Sequence, residues 1–112
     1  MFNMQKNSEN KSANVVIDYD SKIVYEATIK AIDSSNKFTL KESNKMMKRV
    51  SVSVKMSAFS WGERMIIQLN DINGKTEIDI KSESKASVGR QVEKKNQKNI
   101  EEILNLISDY LN

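Results

Sequence analysis

The stretch "RMIIQLNDINGKTEIDIKSES" (64–84) decides the fold. Asn73-Gly74 is the dipeptide of a type I′ two-residue turn, whose central residues both need φ > 0. With those two residues as the turn, Ile72 opposes Lys75. Leu69 then faces Ile78 and Ile67 faces Ile80 on one side. Asn70 faces Glu77, Gln68 faces Asp79 and Arg64 faces Glu83 on the other. In these five pairs apolar meets apolar and polar meets polar. A slip of one residue would turn every side chain over, so the register is specified by the pattern itself.

The same alternation continues upstream. In "KMMKRVSVSVKMS" (45–57), Val50, Val52, Val54 and Met56 fall on one side, and Arg49, Ser51, Ser53, Lys55 and Ser57 on the other. In "NKFTLKES" (36–43), Phe38 and Leu40 oppose Lys37, Thr39 and Lys41. Period-two alternation is the pattern of an antiparallel sheet with one wet face. "NVVIDYD" (14–20) predicts a further strand.

Two helices flank these strands. "SKIVYEATIKAIDSS" (21–35) follows Asp20, a suitable N-cap. At 100° per residue Lys22, Glu26, Lys30 and Asp33 share a narrow polar stripe, and Ile23, Val24, Tyr25, Ala27, Ile29, Ala31 and Ile32 fill the remainder. In "RQVEKKNQKNIEEILNLISDYLN" (90–112), Ile100, Ile103, Leu104, Leu106, Ile107, Tyr110 and Leu111 span an arc of roughly 160°. Val92, Asn96 and Asn99 extend that inward face toward the helix start. The order predicts an α+β domain, strand-helix-four strands-helix, with an antiparallel sheet and both helices packed on one face. Residues 1–13 read as a flexible polar arm and 14–112 as the single domain.

Composition limits the chemistry. The 112 residues contain no cysteine, histidine or proline. Disulfides, Cys/His metal sites, Ser-His-Asp and Cys-His nucleophile systems are therefore excluded, together with histidine acid–base catalysis. Asp18 and Asp20 in "DYD" make a weak cation site, and Asp20 is better used as a helix cap. No cofactor or catalytic role is expected. No apolar run approaches the roughly 18 residues of a membrane span, and "MFNMQKNSENKSAN" has no apolar core of a signal peptide. The expectation is a cytoplasmic protein with no membrane partner.

The net charge of +3 is uneven: residues 37–55 sum to +5 and 81–98 to +4, while 99–112 sum to −3. On the predicted wet face stand Lys37, Lys41, Arg49, Lys55, Arg64 and Lys81, sharing it with Asp18, Glu77 and Asp79. Such a face suits non-specific binding of a nucleic-acid backbone, although it lacks the aromatic pairs on which bases stack. An ordinary solvated surface accounts for the same residues.

"SAFSWGE" (57–63) joins two strands and holds the only tryptophan. Gly62 suits a tight turn. Phe59 and Trp61 either fold over the end of the core or form an aromatic edge that closes a ligand pocket. Asn96 and Asn99, inward on the last helix, are expected to hydrogen-bond backbone groups of this loop. Phe59, Trp61, Gly62, Asn96 and Asn99 together make the candidate site of a small binding or accessory domain whose partner is a protein or small ligand. An unpaired sheet edge also offers a route to a homodimer.

The order of elements over 14–112 resembles one repeat of the TATA-binding protein and, more loosely, the helix-grip proteins, which implies a curved sheet backed by helices. Ser60, Trp61, Gly62 and Glu63, with the "NGKT" hairpin, "IDIKSES" and the asparagines of "NQKNIEEIL", resemble a family of small bacterial domains of uncharacterised function with a Ser-Trp-Gly-Glu box. The chain departs from that family at "VEKK" (92–95), where members show an Asp-Trp-Gly-like segment. The resemblance implies no activity.

Overall fold

The hairpin forms in the register its sequence dictates. A computed structural model describes residues 3–6, 12–55, 63–84 and 90–111. In it β5 (Glu63–Ile72) pairs with β6 (Lys75–Ser84), with Leu69 opposite Ile78, Ile67 opposite Ile80 and Arg64 opposite Glu83. Asn73 and Gly74 have φ of 51° and 85°, the two positive values that a type I′ turn demands.

Around this hairpin the chain builds one antiparallel sheet in the order β1-β2-β6-β5-β4-β3. β2 (Ser12–Ile17) lies beside β6, and β4 (Arg49–Val54) beside β5. β3 (Phe38–Asn44) pairs with β4 at one edge. α1 (Ser21–Ser34) carries the chain from β2 to that edge, and α2 (Arg90–Asp109) follows β6. Both helices cover the same face. The α+β architecture is therefore the expected one, with one strand more than the sequence predicts.

The extra strand is β1 (Asn3–Lys6), inside the stretch read as a loose arm. It pairs antiparallel with β2, Asn3 opposite Val16 and Lys6 opposite Ala13. Ser12 and Ala13, also assigned to the arm, open β2, and Ala13 is buried. An edge strand is held by backbone hydrogen bonds, which a polar sequence supplies as well as an apolar one. Its composition therefore gives no signal.

The core lies between the helices and the inward face of the sheet. Val15, Val50, Val52, Met65, Ile67, Ile78 and Ile80 are fully enclosed, and Val24, Ala31, Ile103 and Ile107 meet them from the helices. Asp20 caps α1, its carboxylate accepting the Lys22 N–H at 3.2 Å. Ile23, placed on the apolar arc by sequence, is 51% exposed. It lies about 20° from Lys30 on the helical wheel, so it falls within the solvent stripe. Thr28 takes the buried position instead, its hydroxyl donating to the Val24 carbonyl at 2.8 Å. Tyr110 is also exposed, because α2 ends at Asp109, one residue before it.

β3 departs from simple alternation. Leu40 opposes Val52 and Glu42 opposes Ser51, so Lys41 is an extra residue in a bulge. Residues beyond it exchange faces: Glu42, not Lys41, stands in the outward row.

Candidate functional site

At the end of the sheet where β5 begins, four polar side chains enter an apolar interior. Glu63 opens β5 with the same parity as Met65, Ile67 and Leu69, so its side chain points inward and is fully buried. Ser82 on β6 shares that parity with Ile78 and Ile80 and lies opposite Met65. Asn96 and Asn99 stand three residues apart on α2, on the face continued by Ile100 and Ile103. Both are fully buried.

These groups pair across the layer. The Ser82 hydroxyl donates to Asn96 Oδ1 at 2.8 Å. The Asn99 amide nitrogen donates to Glu63 Oε1 at 2.7 Å. Asn96 and Asn99 thus tie α2 to β6 and β5 by polar contacts, and Ile100, Ile103 and Ile107 beyond them pack into the apolar core. Sequence predicts the inward placement of both asparagines correctly, but assigns them to loop backbone. Among the described residues the partners are the side chains of Ser82 and Glu63, while residues 57–62 of the loop lie outside the described residues. Asn99 Oδ1 is buried and receives no hydrogen bond from a described residue. A buried amide oxygen without a donor costs about 1–3 kcal/mol, so this atom stands out in an otherwise paired cluster.

Phe59, Trp61 and Gly62 lie outside the described residues. They immediately precede Glu63 in the chain, which sequence reasoning passed over as a site residue. Strand parity was the signal that could have found it: once Arg64 faces outward, opposite Glu83, Glu63 must face inward.

The outer face of the sheet gathers only part of the predicted basic surface. Arg49, Arg64 and Lys81, on three adjacent strands, surround Ile66. With Gln68, Asp79 and Glu83 they line a concavity of about 220 Å³. None of the three cations forms a salt bridge with a described residue. Lys37 is elsewhere: its ammonium binds Glu102 of α2 at 2.9 Å and lies 5.8 Å from the Phe38 ring centre. It precedes β3 and so escapes the strand alternation that would have turned it outward. Lys41 sits in the edge bulge, and Lys55 is exposed just past β4, where its N–H donates to the Lys37 carbonyl. Among the described residues no group of three or more carboxylates could hold a metal ion, and no helix is long and apolar enough to cross a membrane.

No family model and no curated protein matches this sequence. Solved structures do match its fold. Ara h 8.0201 is similar with a TM-score of 0.70 at 8% identity, over 99% of this chain and 98% of its own. TTHA0849 from Thermus thermophilus gives 0.62 at 10% identity, over 90% of this chain and 95% of its own. CalU16 from Micromonospora echinospora gives 0.62 at 8%, over 99% of this chain and 83% of its own. At such identities the likeness is one of fold, and function must be argued from the site.

Proposed function

We propose that this chain is a small, non-catalytic binding domain of the cytoplasm. Its ligand site lies where Glu63 and Ser82 meet Asn96 and Asn99, and Phe59, Trp61 and Gly62, which precede Glu63 in the sequence, are the further residues we assign to it. The observation that carries this reading is the buried Asn99 Oδ1, which has no donor among the described residues. Binding sites are mostly apolar, with a few converging polar groups that fix orientation. A small ligand bearing a hydroxyl, amine or amide N–H would satisfy this oxygen, with the neighbouring isoleucines contacting its apolar part. A chain without cysteine forms no disulfide, which is compatible with the reducing cytoplasm.

Thermal melting with a panel of small hydroxylated and amine-bearing compounds tests this reading. At least one compound is expected to raise the melting temperature and to shift the emission of Trp61, the sole tryptophan. The same compound should leave a Glu63→Met/Asn99→Leu double variant unmoved. If nothing raises the melting temperature, or the double variant responds equally, the site is wrongly placed.

The outer concavity favours a second reading, nucleic-acid backbone binding by Arg49, Arg64 and Lys81. Fluorescence anisotropy of mixed-sequence DNA and RNA should then show affinity that falls steeply with salt. Arg49→Glu/Arg64→Glu should abolish it. No binding at low salt would retire this reading.

A further inference from the structure

Seven large apolar side chains are exposed among the described residues, and six of them lie at one end of the sheet. They are Val16 and Tyr19 near the end of β2, Ile23 in the first turn of α1, Met46 and Met47 between β3 and β4, and Ile72 at the β5–β6 turn. The strand registers bring these segments to the same end: Ile17 opposes Thr76, and Arg49 opposes Gln68. The Thr76 hydroxyl donates to the Tyr19 carbonyl at 2.7 Å, which ties the β2–α1 connection to the hairpin. Single exposed apolar residues scattered over a surface need no explanation; their collection on one end does.

The β3–β4 turn is the most exposed part. Met46 is 91% exposed and Met47 59%. The turn is also held in place. Asn44 Oδ1 accepts the Met47 N–H at 3.0 Å, the Gln68 amide donates to the Met47 carbonyl at 2.8 Å, and the Leu69 N–H reaches the Lys48 carbonyl at 3.0 Å. Lys48 adopts φ of 54° to close it. Two methionines are thus presented on a fixed backbone. Lys45, Lys48 and Arg49 flank them, with no acid between Asn44 and Arg49. Asp18 and Asp20 lie on the β2–α1 connection and Asp71 near the end of β5, so the cationic character is concentrated at the methionine turn.

We propose that this end of the sheet docks on an anionic lipid bilayer, with Met46 and Met47 entering the interface and Lys45, Lys48 and Arg49 at the level of the headgroups. Apolar insertion combined with basic residues is the physical basis of peripheral membrane attachment. A protein partner fits the geometry less well. A stable protein interface takes about 800 Å² from each side, whereas the methionine turn is a narrow projection. A bilayer needs only shallow entry of a few side chains. The exposed residues come from three separate segments, around the β2–α1 connection, the β3–β4 turn and the end of β5, which suits contact with an extended plane rather than a groove. This inference is independent of the ligand site at Glu63 and Asn99, on the opposite end of the sheet.

Co-sedimentation of the full chain with vesicles tests it. Binding is expected to phosphatidylcholine vesicles containing phosphatidylglycerol and not to phosphatidylcholine alone. Met46→Ser/Met47→Ser should lower the partition coefficient by about tenfold or more while anionic lipid is present. Lys45→Glu/Lys48→Glu should abolish binding. Lys45, Met46 and Met47 are exposed and Lys48 is partly buried, so unchanged far-UV circular dichroism verifies that the variants fold. Absence of binding to anionic vesicles overturns the proposal. So does undiminished binding of the serine variant, which would reduce the attraction to general charge. Sedimentation velocity without lipid provides the remaining check: a dimer that the serine variant converts to monomer would assign this end to a second copy instead.

Discussion

Ile67→Ala is expected to lower the unfolding free energy by about 2–5 kcal/mol, a large share of the roughly 5–15 kcal/mol available to a domain of this kind. Ile67 occupies the middle of the inward face. Val50 opposes it on β4 and Ile80 on β6, and all three are fully buried. Truncation to alanine removes apolar area and leaves a void that flanking strands, locked in their hydrogen-bonded ladders, close only in part. The neighbouring Ile66→Ala serves as the internal control. Ile66 lies one residue earlier on the outer face and is only partly buried, so its loss should cost less than about 1 kcal/mol. Urea unfolding of both variants measures the difference. Equal effects would mean that the two faces of β5 are not distinguished as the register requires.

The second large effect concerns the polar contact beneath α2. Asn99→Leu alone should cost about 3 kcal/mol, because it deprives the buried Glu63 carboxyl of the Asn99 amide. Glu63→Met alone should cost a comparable amount, since Asn99 would then have neither its donor nor its acceptor engaged by this pair. The double variant Glu63→Met/Asn99→Leu replaces both polar groups by apolar ones of similar size. It should be less destabilised than the sum of the singles by about 2 kcal/mol or more. Urea midpoints of the four proteins provide the cycle. Strict additivity would show that the two side chains do not support one another.

The unequal legibility of the sequence follows from the kind of force involved. The β5–β6 register could be read to the residue, because the Asn73-Gly74 turn sets it and the pairs Leu69–Ile78, Ile67–Ile80, Asn70–Glu77, Gln68–Asp79 and Arg64–Glu83 agree with it, although Ile66, Asp71 and Ile72 break the alternation. The inward face of β4 and the apolar half of α2 were legible for the same reason. β1 was not, because backbone pairing at an edge leaves no mark on composition. The Lys41 bulge was equally hidden: an inserted residue changes the phase of an alternation that is only two apolar residues long in β3. Within the site, the inward direction of Asn96 and Asn99 was legible from helical spacing. Their partners were not, since which strand passes beneath each turn of α2 depends on how the helix crosses the sheet. Lys37 shows the converse error, a residue assigned to a strand face that belongs to the chain before the strand and pairs with a helix.

The bulge at Lys41 has a bearing on how this protein behaves in a crowded solution. The terminal strands of the sheet are β1 and β3. β1 is four residues long. β3 has seven, but the bulge divides its ladder into Phe38–Leu40 and Glu42–Asn44. Fibrous stacking of strands propagates through uninterrupted segments of about six or seven residues. Neither terminal strand presents such a run, and a lysine marks the break in the longer one. The same extra residue that shifts Glu42 into the outward row thereby denies a passing chain a continuous template along β3.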